Sequence, residues 1–553
     1  MKPIIQLERK GWVTLEKESC RVFVRGQAHQ GESFFNTEQL AELLLAQTEA
    51  RDVASIINNL NGTWAFVWVN GDEIVFAVDH IRSIELLYHI DEINQTCFIF
   101  DNLSSYLQKH TFEFDEDVLH EYLSSGFAWR EKTLIKGIYS VQAGEYVTIL
   151  DHTLTRIDYF IPTPNLSNTT LQTEAIIGDI DETFCNAIKR LIQSVNGRRI
   201  VVPLSGGYDS RLVVNYLCKL GYKNILCYTY GAEKNLDSEY SKNVAAALGL
   251  PWHFVEYKGN VFLDGIEEKE IQDFCKFSCN GTNTPILQEF YALKSLKEHG
   301  IITEEDIVVP GHCLDILAGS DLSKACYSWC VASEIYGTST KMFYKDSYSR
   351  TIKDLRCYVN ENHKQSKKET FEVFSLRENI TKVIYNAIRI CEWFGLDWRM
   401  PWTDKEIISL WLNIPWKMRY GRVWFRAEVA PQLWVKELMV LPLHGYWSKQ
   451  KLSLLKNIKV FVKEHIPYFL IRLSRGGHSI NQKSLSQDVF KMWQSERVEK
   501  IKEACIQELL NRSLTSIARR LSSNFKALSM GGGVRALYVF LALASLLKIN
   551  KKE

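Results

Sequence analysis

Ser205-Gly206-Gly207-Tyr208-Asp209-Ser210 is the stretch of this 553-residue chain where residue types and spacing can do chemistry together. Two adjacent glycines let the backbone come close to a ligand, and the amides that open a following helix favour an anion. Ser205 and Ser210 add hydroxyl donors. Asp209 sets a carboxylate beside that anion site, an arrangement that makes sense when a cation bridges the two. A nucleotide phosphate with Mg²⁺ fits all of these. A lone Gly-Gly is just as well a helix-entry turn with Asp209 as its cap; the full Ser-Gly-Gly-x-Asp-Ser set between strand and helix points to the nucleotide. The Gly-Lys-Ser/Thr ending of the common P-loop is missing.

The elements that must position these groups are legible around them. Ile200 to Leu204 is apolar and rich in β-branched residues, as a buried strand requires, and Leu212 to Lys219 resumes at helical spacing. A helix over Glu174–Val195 leads in. A second strand over Asn224–Gly231, a helix over Asp237–Leu248 and a third strand over Trp252–Val255 follow. This β-α-β-α-β alternation predicts a parallel, doubly wound sheet with its ligand at the strand C-termini. Asp306 to Gly311 is a further apolar strand running into a glycine turn, with Asp315 just beyond. Asp315 reads either as a helix cap or as the second carboxylate of a metal pair with Asp209, since Mg²⁺ takes one or two protein carboxylates. His312, three residues earlier, has the pKa of about 6.5 that lets an imidazole take a proton from an attacking amine. It can equally satisfy a backbone group, and spacing does not choose between the two.

A net charge of +1 and an ordinary hydrophobic fraction of 46% give no whole-chain argument for nucleic acid as a partner. The length exceeds one core, so two or three domains are expected. Thirteen scattered cysteines fit free thiols in a reducing cytoplasm. Cys275/Cys279 and Cys326/Cys330 share a spacing that a four-thiolate metal site would use, but small buried residues on helix faces explain them more simply. Met1 to Arg9 lacks the apolar core of a signal peptide, so a cytoplasmic location is expected. Ala536–Leu547 is too short to span a bilayer and reads as a buried helix. The first segment is strand-rich: Cys20–Gly26 and Trp64–Val69 alternate or run apolar, with helical spacing at Glu38–Leu45 and Val53–Leu60, as in a layered α+β domain. A Pro-, Asn-, Ser- and Thr-rich linker over 162–173 closes it. The final stretch reads as helical and basic, with Lys449, Lys451, Lys456, Lys459 and Lys463 among apolar residues. A solvated amphipathic face is the default there, and peripheral contact with an anionic membrane is the sharper alternative.

The Ser-Gly-Gly-x-Asp-Ser loop resembles the pyrophosphate loop of the ATP pyrophosphatases that activate a substrate as its adenylate. To about residue 435 the chain is similar to the asparagine synthetase and β-lactam synthetase family. Leu60–Phe66, Asp79–Ser83 and Leu86–Tyr88 look like that family's N-terminal glutaminase domain. The resemblance implies an α/β protein in three parts: a glutaminase-like, Ntn-type layered α+β domain over 1–165, an ATP pyrophosphatase domain with a doubly wound parallel sheet over 174–435, and a helical extension over 436–553. It also implies that Leu204, Ser205, Gly206, Gly207, Asp209, Ser210, Thr229, Gly231 and Gly311 hold ATP and that Asp209 and Asp315 hold Mg²⁺.

His312 stands where the family carries a catalytic glutamate. Asp397 to Asp404 looks like the family's Glu-x-Arg-x-Pro-Phe-x-Asp signature, with Asp397 for the glutamate, Trp402 for the phenylalanine, and Arg399, Pro401 and Asp404 matching. In β-lactam synthetase that glutamate orients a catalytic tyrosine, so by resemblance Asp397 orients His312. Structurally, Arg399 paired with Asp404 would be a salt bridge stiffening the turn. Arg422 takes the place of the family's lysine, and Arg426 matches its arginine; both would stabilise adenylate and pyrophosphate as they separate.

The family's glutaminase nucleophile is an N-terminal cysteine. This sequence opens Met1-Lys2-Pro3, and its first cysteine, Cys20, falls in a predicted strand, which implies a glutaminase fold without glutamine hydrolysis. The implied activity is ATP-dependent amide formation, with a small-molecule carboxylate adenylated and an amine or ammonia transferred to it. The expected acceptor is specialised: a sugar uronic acid or a natural-product precursor. A glutamine-hydrolysing asparagine synthetase and a non-catalytic nucleotide-binding scaffold are the alternatives.

Overall fold

Period-two alternation builds the first layers. In the strand Asn61–Asn70, Trp64, Phe66 and Trp68 face the helices Thr37–Leu45 and Ala50–Asn59, while Ala65, Val67 and Val69 face a second sheet. The computed structural model describes residues 1–165, 172–233, 235–259, 261–320, 322, 335, 348–361, 367–441, 495–531 and 533–548. Among these, the first half contains a seven-stranded sheet, antiparallel in its pairings, and a four-stranded sheet in which Lys2–Gln6 runs parallel to Thr96–Phe100. Helices on one side, two stacked sheets and the cluster around Leu103, Tyr106 and Tyr122 on the other side give the layered α+β arrangement. Most of the predicted linker lies outside the described residues.

The second half is organised by a five-stranded sheet, parallel throughout, in the spatial order Trp252–Glu256, Ile225–Gly231, Ile200–Pro203, Ile307–Val308, Asp397–Trp398. The winding reverses at Ile200–Pro203, whose neighbours Ile225–Gly231 and Ile307–Val308 both come later in the chain and flank it on opposite sides. That switch point opens a crevice at the strand C-termini. The lead-in helix is Thr173–Val195, and the helix after the glycine loop is Asp209–Lys219, with Leu212, Val213 and Leu217 fully buried.

The two halves are joined through buried charge. Arg9 and Arg25 of the first half donate to Glu392 of the second at 3.3 and 3.0 Å, and Arg389 lies 2.7 Å from the same carboxylate. Arg82 bonds Glu85, Thr282 and Asn283. The helix Gly533–Leu547, buried from Ala536 onward, packs on Glu268–Cys279, and no helix of the described residues is long and apolar enough to cross a membrane. The lysine-rich segment from Lys449 to Lys463 lies outside the described residues, as do Cys326 and Cys330. Cys275 and Cys279 are buried, and burial pushes both thiols up, as expected of packed side chains.

Candidate active site

Two loops meet at the switch point because one of them carries no side chain. A Cβ on Gly311 would fall 2.3 Å from the Ser210 amide nitrogen and 2.6 Å from the Asp209 carbonyl carbon, so only glycine lets the turn after Ile307–Val308 press against the Ser-Gly-Gly loop. This approach sets Asp209 and Asp315 on one cavity of ≈ 640 Å³, which His312 also lines. Cys313 between them sits at φ 81, a left-handed conformation that costs a non-glycine residue of the order of 1 kcal/mol.

The carboxylate pair is electrostatically incomplete. Asp209 Oδ1 is shielded from solvent and accepts no hydrogen bond. Burial, and then the charge of Asp315, raise the Asp209 pKa to about 7, against the pull of Arg422 and Arg426. An orphaned carboxylate oxygen facing a second acid is what a divalent cation relieves, so the residues present fit Mg²⁺. Among the described residues no group of three or more His, Cys, Asp or Glu forms a cage.

The loop amides are satisfied internally in this state. Gly206 N donates to Asp237 Oδ1 at 3.1 Å, Gly207 N to Ser205 Oγ at 3.3 Å and Ser205 N to Ser210 Oγ at 3.1 Å. A phosphate entering here would exchange these bonds for charge-assisted ones. Leu204 and Thr229 are tied together, the Thr229 hydroxyl donating to the Leu204 carbonyl at 2.7 Å, and Trp252 Nε1 also donates to that hydroxyl. Thr229 therefore holds two strand ends in register. Gly231, at φ 136, ends that strand on the cavity wall.

His312 is half-buried, with Nδ1 shielded from solvent and unpartnered, and burial of the ring, opposed by Asp315, lowers its pKa, so it is neutral at pH 7. A neutral imidazole on the cavity wall can accept a proton. Arg422 Nη1 stands 3.9 Å from Asp209 Oδ1. It is carried there by consecutive positive φ values at Gly421 (60) and Arg422 (59) and by Gly421 N donating to Gly319 O at 3.1 Å. Gly319 is forced in turn: a Cβ there would strike the Arg419 carbonyl oxygen at 2.1 Å. Arg426 lies 5.9 Å over the Tyr208 ring with its Nε unpartnered, and adds its charge to the same corner.

Asp397 does not join this group, which corrects the expectation that it orients His312. It pairs in register with Ile307, at the N-terminal end of the parallel strands, whereas His312 follows their C-terminal end. Its carboxylate accepts from Arg198 at 2.6 Å and Arg399 at 2.7 Å; burial alone would raise its pKa, but the two guanidiniums hold it down to about 2. The expected Arg399–Asp404 bridge is corrected too: Asp404 pairs with Arg190 at 2.8 Å, and Arg399 reaches Gln27 at 2.9 Å.

Three residues of the site carried no sequence signal: Asp237, which caps the Gly206 amide, Glu289 on the cavity wall, and Tyr228, which donates to Glu289. Asp237 follows a strand-ending glycine at a helix start, a place where a cap is common. Gln288-Glu289-Phe290 matches no pattern.

Compared with known proteins, residues 23–160 match the glutamine amidotransferase domain model and residues 179–301 the asparagine synthase model. A match to a glutamine amidotransferase domain followed by a match to an asparagine synthase domain is the order that the asparagine synthetase and β-lactam synthetase-like proteins have, and the chain is similar to them. It is 25% identical over 252 residues to the microcin J25-processing protein McjC of Escherichia coli, covering 44% of each chain. It is 27% identical over 200 residues to the tRNA-specific 2-thiouridylase MnmA of Ehrlichia ruminantium, covering 32% of this chain and 49% of that one. The chain thus spans under half the length of these relatives. Among solved structures, the NH3-dependent NAD synthetase of Campylobacter jejuni overlaps 40% of this chain and 96% of its own at 14% identity and a TM-score of 0.22. A Bacillus subtilis glutamine phosphoribosylpyrophosphate amidotransferase overlaps 54% and 63% at 14% identity and a TM-score of 0.18. Scores of that size carry no weight for the fold.

Proposed function

We propose that this chain is an ATP-dependent carbon–nitrogen ligase that adenylates a carboxylate and passes an amine or ammonia to it, releasing AMP and pyrophosphate. The observation that carries the reading is the meeting of Asp209 and Asp315 beside the Ser-Gly-Gly loop, with one carboxylate oxygen left without a hydrogen bond. Asp209 and Asp315 would hold Mg²⁺, which when bound neutralises charge on the phosphates. The Ser205–Ser210 loop orients the β- and γ-phosphates. An acceptor carboxylate oxygen then bonds to the α-phosphorus as the bond to pyrophosphate breaks. Arg422 and Arg426, beside Asp209, would offset the charge that grows on the leaving group. The amine nitrogen next attacks the acyl carbon of the adenylate, the bond to AMP breaks, and His312 takes the proton that the nitrogen loses.

A specialised acceptor suits the exchange of the family's glutamate and lysine for His312 and Arg422. One matched relative is by name a microcin-processing protein, which favours a natural-product precursor over a uronic acid. Cys20 and Cys97 are buried and burial raises both thiols, so neither supplies a reactive thiolate for glutamine hydrolysis.

The test incubates purified chain with MgATP and a panel of carboxylate acceptors, following AMP, ADP, pyrophosphate and glutamate. Acceptor-dependent AMP and pyrophosphate are expected. ADP and phosphate overturn the adenylation reading, glutamate release from glutamine restores the glutaminase, and MgATP binding without turnover across the panel leaves a scaffold.

A further inference from the structure

Besides Asp209 and Asp315, two acids line the cavity. Asp237 is already committed to the Gly206 amide. Glu289 is placed differently. It sits at the start of the helix Phe290–Glu298, yet its side chain makes no cap bond there and turns instead to Tyr228, whose hydroxyl donates to Oε1. Among the described residues no cation pairs with Glu289 and Tyr228 is the one side chain bonded to its carboxyl group, although the residue is 9% exposed. A carboxyl group so deeply set with one neutral partner lacks hydrogen-bond donors, and its second oxygen is served only by something in the cavity.

Resting on the ligase reading above, we propose that Glu289, held in place by Tyr228, recognises the base of the nucleotide by accepting a hydrogen bond from the 6-amino group of adenine. The phosphate end is fixed by the Ser-Gly-Gly loop, Asp209 and Asp315. Asp237 is tied to the loop by the Gly206 amide, whereas Glu289, among the described residues, accepts from no amide or cation and would be repelled next to the triphosphate or the acceptor carboxylate. The base, at the far end of the nucleotide, presents an N–H donor without negative charge. The wall between the two ends is the strand end Tyr228–Gly231, so the residue that holds Glu289 belongs to the same wall the nucleotide must lie along. Burial also raises the Glu289 pKa to about 7, so part of the population keeps a proton that can be donated to the ring nitrogen N1.

Calorimetric titration of the full chain with MgATP and with MgITP reads this directly, because inosine replaces the 6-amino group with a carbonyl and carries hydrogen on N1. Above pH 8, where Glu289 is ionised, the wild type is expected to bind MgATP at least about tenfold more tightly, since the carboxylate accepts from the 6-amino group but is repelled by the carbonyl oxygen that replaces it in inosine. Glu289→Gln is close in shape, and its carboxamide offers both donor and acceptor, so the preference should fall toward unity with MgATP affinity largely kept. Glu289→Leu should weaken MgATP and erase the preference, with circular dichroism confirming the fold. An unchanged preference in both variants overturns the assignment of Glu289 alone, including the case where they alter only the use of an amine acceptor. No MgATP binding by the wild type overturns the ligase reading and this inference together.

Discussion

The indole nitrogen of Trp402 donates to the main-chain carbonyl of Asp209 at 3.1 Å. Trp402 is fully buried and follows the strand at one edge of the parallel sheet, whereas Asp209 begins the helix after the central strand, 193 residues earlier. The bond fixes the peptide that carries the carboxylate proposed to hold Mg²⁺, and a phenylalanine at 402 cannot make it. Trp402→Phe should therefore leave the chain folded and raise the Mg²⁺ concentration for half-maximal activity several-fold, in line with one net hydrogen bond of about 1 kcal/mol. A Mg²⁺ titration at saturating ATP checks this; an unchanged midpoint would mean that the indole only fills space.

Asp315 raises the Asp209 pKa, so in the absence of metal the pair is a local repulsion. Asp315→Asn should lower acceptor-dependent pyrophosphate release by about 10³-fold or more, while raising the melting temperature of the metal-free protein by roughly 1–2 °C. Opposite signs for activity and stability are the signature. A variant less stable than wild type without metal would show that the two carboxylates do not repel.

His312 and Asp397 should separate cleanly in mutagenesis. His312→Ala is expected to lower kcat by about 10²–10⁴-fold with little change in the KM for ATP, as for loss of a general base. Asp397→Asn should leave the pH–activity profile intact, because its partners are Arg198 and Arg399, and should lower thermal stability instead. A shifted pH profile in Asp397→Asn would restore the link to His312.

Glu392 gives a pH-dependent stability with a definite sign. Burial alone would raise its pKa, but Arg25, Arg389 and Arg9 pull it down to about 2, below the 4.5 of an unperturbed glutamate. A depressed carboxylate contributes stability that is fully present above pH 4.5 and is lost as pH falls from there toward 2. Glu392→Gln leaves buried guanidiniums uncompensated and should cost roughly 3–5 kcal/mol near pH 7. Urea midpoints at pH 7 and pH 3 check this: the gap between variant and wild type should narrow at the lower pH, and a constant gap would refute the assignment.

The sequence by itself determined the Ser205–Ser210 loop, the parallel alternation around it and the candidacy of Asp209 and Asp315. Each of these depends on near neighbours in the chain: the periodicity of a strand, the freedom of a glycine, the start of a helix. Tertiary structure decided the rest. Asp397 follows a readable signature, but strand register puts it at the opposite end of the sheet from His312. Asp404 turns to Arg190 rather than to Arg399, because the lead-in helix brings Arg190 to it from 214 residues away. Glu289 lies in no motif and enters the cavity only because its helix packs on Trp252–Glu256, the strand beside the one that carries Tyr228. Spacing encodes contacts a few residues apart; which carboxyl group finds a guanidinium, a phenol or an empty cavity depends on packing between segments that the linear order does not relate.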